Sequence, residues 1–246
     1  MAQIKANEAL VKALQTWNID HLYGIPGDSV DAVVDSLRTV RDQFKFYHVR
    51  HEEVASLAAA SYTKMTGKIG VALSIGGPGI VHLLNGMYDA KMDNVPQLII
   101  AGQTNSTLLG TKFFQETNIS KMVDDVAVYH HQIQKGDNVF EITNEAIRTA
   151  YEKKGVSVII CPNDLLTQKI KDTTNRAVDT TKPKPASPKF KSIKKAAKLI
   201  DKAKKPVMLI GLGTQHAKDE LREFIEAAKI PVIHTLPAKT ILPDDH

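Results

Sequence analysis

Two short stretches of this 246-residue sequence group residue types that can meet a bound ligand. Arg50-His51-Glu52-Glu53 sets two carboxylates beside an imidazole, and Gly76-Gly77-Pro78-Gly79 is a glycine-rich turn ahead of a helical run. Carboxyl and imidazole groups are the usual donors and acceptors of general acid–base chemistry. Glycine-rich turns that open a helix offer backbone amides to anionic groups. Gly24-Ile25-Pro26-Gly27-Asp28-Ser29 and Phe113-Phe114-Gln115-Glu116 add hydroxyl, amide, carboxylate and aromatic surface. Taken singly, each stretch has a plain structural account. A carboxylate at a helix start is favoured by the helix dipole. The glycine turn follows neither the dinucleotide nor the P-loop spacing. His51 reads as a partly buried structural histidine, and Phe113-Phe114 reads as packing beneath a loop.

The elements around these stretches make them converge. Strand-like runs at 21–23, 44–49, 70–74, 97–101, 126–132 and 157–161 alternate with helical patterns at 4–17, 30–37, 55–64, 79–92 and 144–153. Such alternation predicts an α/β fold, a doubly wound parallel sheet with helices on both faces. In that fold the turns after the strands emerge at one edge, where ligands bind. Gly24 to Ser29, Arg50 to Glu53, Ile75 to Gly79 and Gly102 to Asn105 are the first four such turns, with Asp28 or Ser29 placed to cap the next helix.

Residues 1–170 are therefore expected to form one domain. Residues 171–188, polar and rich in proline, read as a linker. Residues 189–246 resume the pattern with a helix at 191–204, a strand at 206–210, the turn Gly211-Leu212-Gly213, a helix at 217–228 and a strand at 230–234. Two strands are too few for an independent doubly wound domain, so this second domain is expected to be incomplete.

The net charge of +5 is local. Ten lysines lie between Lys182 and Lys205 with Asp201 as the one acid, and outside that stretch 22 basic residues face 26 acidic ones. With no arginine and only Phe190 as an aromatic, this is a solvated lysine face, and no nucleic-acid partner is expected. Cys161 has no second cysteine to pair with, and its strand-like setting makes the thiol a small apolar group in a reducing compartment. Neither a leader nor a run of ~18 apolar residues is present, which points to the cytoplasm.

The order of the turns carries more than any one of them. Tyr23-Gly-Ile-Pro-Gly27, Arg50-His-Glu52 with Ala55, Ala59 and Tyr62, Gly77-Pro-Gly79, Asp93-Asn-Val-Pro96, Gly102-Gln103 and Phe114-Gln-Glu116 together resemble the pyrimidine-binding domain of thiamine-diphosphate enzymes, the group of pyruvate oxidase, acetolactate synthase and pyruvate decarboxylase. The likeness spans residues 4–170. Acetolactate synthases usually carry asparagine where this sequence has His82, which is similar to pyruvate oxidases. Gly211, Gly213 and Thr235-Leu-Pro-Ala-Lys239 resemble the oxidases' central FAD-binding domain.

The resemblance implies that Glu52 is catalytic, bonding the cofactor's pyrimidine ring, with Gly27, Pro78, Gly79 and His82 around the cofactor and Gly211 and Gly213 toward FAD. Ser29, Phe114 and Gln115 would meet pyruvate, with Asp28 beside them where pyruvate oxidases often have glycine. Burial was expected to raise the carboxyl pKa of Glu52, and Glu53 to be structural. Mg and the diphosphate would be held by a carboxyl-terminal domain of a neighbouring subunit, since no Gly-Asp-Gly…Asn motif occurs here; no metal ligand is assigned in this chain. A homodimer or homotetramer, a quinone or oxygen as final acceptor, and membrane contact only through a further region are implied in the same way. The alternatives are an acetolactate synthase or 2-oxo acid decarboxylase relative, and a non-catalytic nucleotide-binding or assembly module.

Overall fold

Small apolar residues at helical spacing begin the fold. The computed structural model describes residues 2–183 and 186–246. After a short strand, β1 (Gln3–Lys5), Ala6, Ala9, Leu10, Ala13 and Leu14 form the fully buried stripe of α1 (Ala6–Thr16). The chain then alternates: β2 (His21–Gly24), a 3-10 turn at Asp28–Val30, α2 (Asp31–Thr39), β3 (Lys45–His48), α3 (Glu52–Thr66), β4 (Gly70–Ser74) and α4 (Pro78–Met92). It continues with β5 (Gln97–Gln103), α5 (Ile119–Val123), β6 (Ala127–Gln132), α6 (Val139–Lys153), β7 (Val156–Pro162), α7 (Asn163–Leu166) and β8 (Lys169–Lys171).

Six strands form one parallel sheet in the order β3-β2-β4-β5-β7-β6. Every residue of β4, β5 and β7 is buried, as a parallel sheet covered on both faces requires. The two-residue strand period sorts the core into two layers. Leu98, Ile100 and Ile159 pack with α1, α2 and α6, whereas Ile99, Ala101 and Val158 pack with α3, α4 and α5. Cys161 belongs to the first layer, where burial pushes its thiol up to about 12, so it stays an uncharged apolar group.

The sequence-derived strands and helices recur with ends moved by a few residues. Helix α6 starts at Val139, well before the expected 144, because Asn138 caps it by accepting the amide of Glu141. The antiparallel pair of β1 with β8, Gln3 opposite Lys171, went unread because three-residue strands have too little alternation to stand out.

The chain divides into two units, Met1–Pro183 and Lys184–His246. Much of the expected linker therefore belongs to the first unit. Val178 packs on the first core layer, and Lys182 donates to the carbonyl of Gly67 at 2.6 Å while lying 5.1 Å from the Tyr151 ring. Lys184 and Pro185 lie outside the described residues.

The second unit contains α8 (Phe190–Lys202), β9 (Met208–Ile210), a 3-10 turn at Leu212–Thr214, α9 (Lys218–Ala228) and β10 (Val232–His234). Its two strands are parallel, and Ile210, Ala238 and Ile241 form a small core with Leu221 and Val232. Among the described residues, no helix is long and apolar enough to cross a membrane.

Candidate active site

In the main sheet the chain steps from β2 outward to β3, then crosses back over β2 to β4. The carboxyl ends of β2 and β4 thus flank a point where strand order reverses, the place where open α/β sheets bind ligands. Four turns meet there with almost no spare room. The Ser29 hydroxyl accepts the Gly76 amide at 3.1 Å. A Cβ on Gly102 would overlap that hydroxyl, and one on Gly27 would lie 2.5 Å from Ile75. Gly77 has φ +61°, and a Cβ there would come 2.8 Å from the carbonyl of Gln115. Gly77 is thus doubly required: left-handed backbone suits glycine, and the 113–116 loop leaves no space for a side chain. Gly79 is packed against Ser74, and Pro78 takes the first position of α4, where its missing amide costs nothing.

These turns enclose a cavity of about 170 Å³, whose lining includes Asp28, Ser29, Gly76, Gln103, Phe114 and Gln115. The loop that closes it is pinned at several points. Asp164 takes the amide and the hydroxyl of Ser106 at 2.7 and 2.6 Å. Glu116 takes the amides of Gly110 and Phe113, and these backbone donors, Gly110 foremost, hold its carboxyl below the usual range. Gln103 donates to the Thr117 carbonyl at 2.8 Å. Held so, Lys112 and Gln115 adopt left-handed backbone, φ 62° and 60°, which side-chain-bearing residues enter only when their surroundings demand it. Phe113 and Phe114 do not pack beneath the loop: they are 49% and 72% exposed, because the loop is held by polar ties and needs no apolar plug. Asp28 lines the cavity with Oδ1 bonded to the Ser29 amide at 2.8 Å, but neither Asp28 nor Ser29 caps α2, which follows Val30 with no side-chain cap.

Glu52 and His82 do not line this cavity; they form a second group at the starts of α3 and α4. His82 Nδ1 lies 2.9 Å from Glu52 Oε2, and the Glu52 side chain is only 13% exposed. The His51 ring stacks on His82, 4.4 Å between centroids, and His51 caps α3 by accepting the Glu53 amide. Glu53 takes a hydrogen bond from Asn85, a structural tie across the two helices. The expected rise in the Glu52 pKa is not found. Burial pushes it upward, but the hydrogen bond from His82, the helix-start amide and the charges of His82 and His51 outweigh burial and hold it below the usual value. The ligand atoms of His51, Glu52 and His82 lie within 4.8 Å of one another. His51 Nδ1 and His82 Nδ1 are already engaged, with the Glu53 amide and the Glu52 carboxylate respectively.

Gly211 and Gly213 belong to the second unit, at the carboxyl end of β9. A Cβ on Gly213 would meet nothing within 4 Å, and one on Gly211 would meet only Thr235 at 3.9 Å. Sequence reading missed Asp164, Asn85 and the loop-holding roles of Gln103 and Glu116. Asp164 alone left a signal, an acid just past a buried strand at the ligand edge.

Comparison with known proteins bears on this arrangement. Residues 4–122 match the family described as thiamine pyrophosphate enzyme, N-terminal TPP binding domain, and residues 193–246 match thiamine pyrophosphate enzyme, central domain. A Bacillus subtilis protein described as thiamine pyrophosphate-containing is 47% identical over 246 residues, covering all of this chain and 43% of its own length. A pyruvate oxidase of Lactiplantibacillus plantarum is 39% identical over 243 residues, 98% of this chain and 40% of the relative. An acetolactate synthase of Mycobacterium leprae is 34% identical over 248 residues, 99% of this chain and 40% of the relative. This chain thus spans about two fifths of the length of these relatives. Two family models matched in order, on a parallel sheet whose strand-end turns enclose a site, place this chain in the family of thiamine pyrophosphate enzymes.

Proposed function

We propose that the enzyme to which this chain belongs is a pyruvate oxidase, using thiamine diphosphate and FAD to decarboxylate pyruvate oxidatively. The observation that carries this reading is His82, standing where acetolactate synthases usually have asparagine and bonded to the one carboxylate that could serve the cofactor. When bound, thiamine diphosphate supplies the electron sink for the bond that breaks. Glu52 fits the cofactor's pyrimidine: it is a largely buried carboxylate with one oxygen held by His82, able to share a proton with a ring nitrogen. The cavity at the strand-end turns matches the volume of roughly five or six water molecules at about 30 Å³ each, enough for the six non-hydrogen atoms of pyruvate. Ser29 and Gln115 would offer hydroxyl and amide contacts there, and Phe114 an apolar wall. Asp28, with one oxygen already bonded to the Ser29 amide, is the contact least suited to an anionic substrate.

Gly211 and Gly213 leave open space at a strand's carboxyl end, a cradle suited to the phosphates of FAD. Mg and the diphosphate are assigned to a further domain. A homodimer or homotetramer fits the exposed Val54, Leu57, Val81 and Met92 on α3 and α4. A cytoplasmic enzyme handing electrons to a quinone, with membrane contact through another region, completes the reading.

A second reading, an acetolactate synthase, is favoured by Asp28, where pyruvate oxidases often have glycine. The full-length enzyme should reduce an artificial electron acceptor in the presence of pyruvate and form acetate or acetyl phosphate. Acetolactate formation without dye reduction would replace the first reading with the second.

A further inference from the structure

The polar side of α4 is matched to α3 position by position. His82 meets Glu52, Asn85 meets Glu53, and Asp89 meets Lys64 at 2.7 Å. These α4 residues are three and seven positions apart and so share one helix face. The helices can approach closely enough for all three pairs because residue 86 is glycine: a Cβ there would lie 2.6 Å from the backbone nitrogen of Leu57. The Glu52–His82 bond is therefore fixed by the register of two helices, not by the wandering of two long side chains.

From this geometry we infer that His82 is the positioning residue of the site: its Nδ1 fixes Oε2 of Glu52 and leaves the other carboxylate oxygen to face a ligand nitrogen. The inference rests on the role given to Glu52 above. A carboxylate mostly withdrawn from water needs a partner to stay in one orientation. His82 is itself held from behind by the stacked His51 ring, whose Nδ1 is committed to the Glu53 amide. Among the described residues, the titratable groups acting on Glu52 are His82 from α4 and His51 from the residue before α3.

Asparagine at position 82 could donate a hydrogen bond but could not change charge. Histidine can hold the carboxylate oxygen either as a neutral donor or as a facing positive charge.

Two measurements test this. In the 246-residue chain, the Glu52 carboxyl is followed by carbon-13 NMR against pH. Its midpoint should lie below that of an ordinary glutamate and move up in His82→Ala, where the His82 hydrogen bond and facing charge are lost; His82→Gln should fall between. In the full-length enzyme loaded with thiamine diphosphate, His82→Ala should lower kcat roughly 10- to 100-fold, as expected for loss of orientation, with the KM for pyruvate little changed. His82→Gln should recover part of that loss. A Glu52 midpoint unmoved in both variants, or a raised KM at constant kcat, would overturn the inference. Should Glu52→Gln leave turnover intact, the functional reading fails instead, while the NMR result stands on its own.

Discussion

The two glycine turns of this chain look alike in sequence and differ in structure. In the first unit Gly76, Gly77 and Gly79 are pressed against neighbouring backbone or side chains, and Gly77 also needs its left-handed φ. In the second unit Gly211 and Gly213 touch almost nothing. The first turn is glycine because the protein fills the space; in the second, packing leaves room for a side chain. The same residue thus stands in a crowded frame and in an open turn, and only the neighbours tell them apart.

That contrast separates scaffold from chemistry, and each side can be pushed until it breaks. Glu52→Gln should reduce turnover of the full-length enzyme by roughly 10²- to 10⁴-fold, the range for a lost acid–base group. Its melting temperature should hardly move, since the frame does not depend on that charge. A large loss of stability would show that Glu52 belongs to the scaffold after all. Gly77→Ala should do the reverse, costing about 2–3 kcal/mol in chemical denaturation, because it combines overpacking with a disfavoured φ. Gly213→Ala should shift unfolding by less than about 0.5 kcal/mol, as surface changes do. It should nonetheless weaken flavin retention in the full-length enzyme, measured by the absorbance that survives gel filtration. Full flavin retention would leave the open cradle without a ligand.

Much of the frame was legible in the sequence because the central strands are continuous apolar runs. Val71 to Leu73, Leu98 to Ala101 and Val158 to Cys161 could hardly be anything but buried strands, and their order fixes where the turns emerge. Glu52 and His82 could be singled out because each stands at the head of, or one turn into, a helix that follows a strand, β3 for Glu52 and β4 for His82. Their mutual contact could not, since it depends on the register of α3 against α4, set by Gly86, which lies 34 positions after Glu52. The pKa of Glu52 was misjudged for the same reason: burial is visible in a pattern of alanines, but a facing imidazole thirty residues away is not. The exposed Phe113 and Phe114 show the converse, since aromatic residues normally signal a core unless polar ties such as Glu116 and Asp164 already hold the loop.

The antiparallel pairing of β1 with β8 brings the start of the first unit beside residues 169–171. The chain does not leave that body at β8: Val178 packs on its core and Lys182 is bonded to the Gly67 carbonyl, so residues past the last strand still belong to the unit that ends at Pro183.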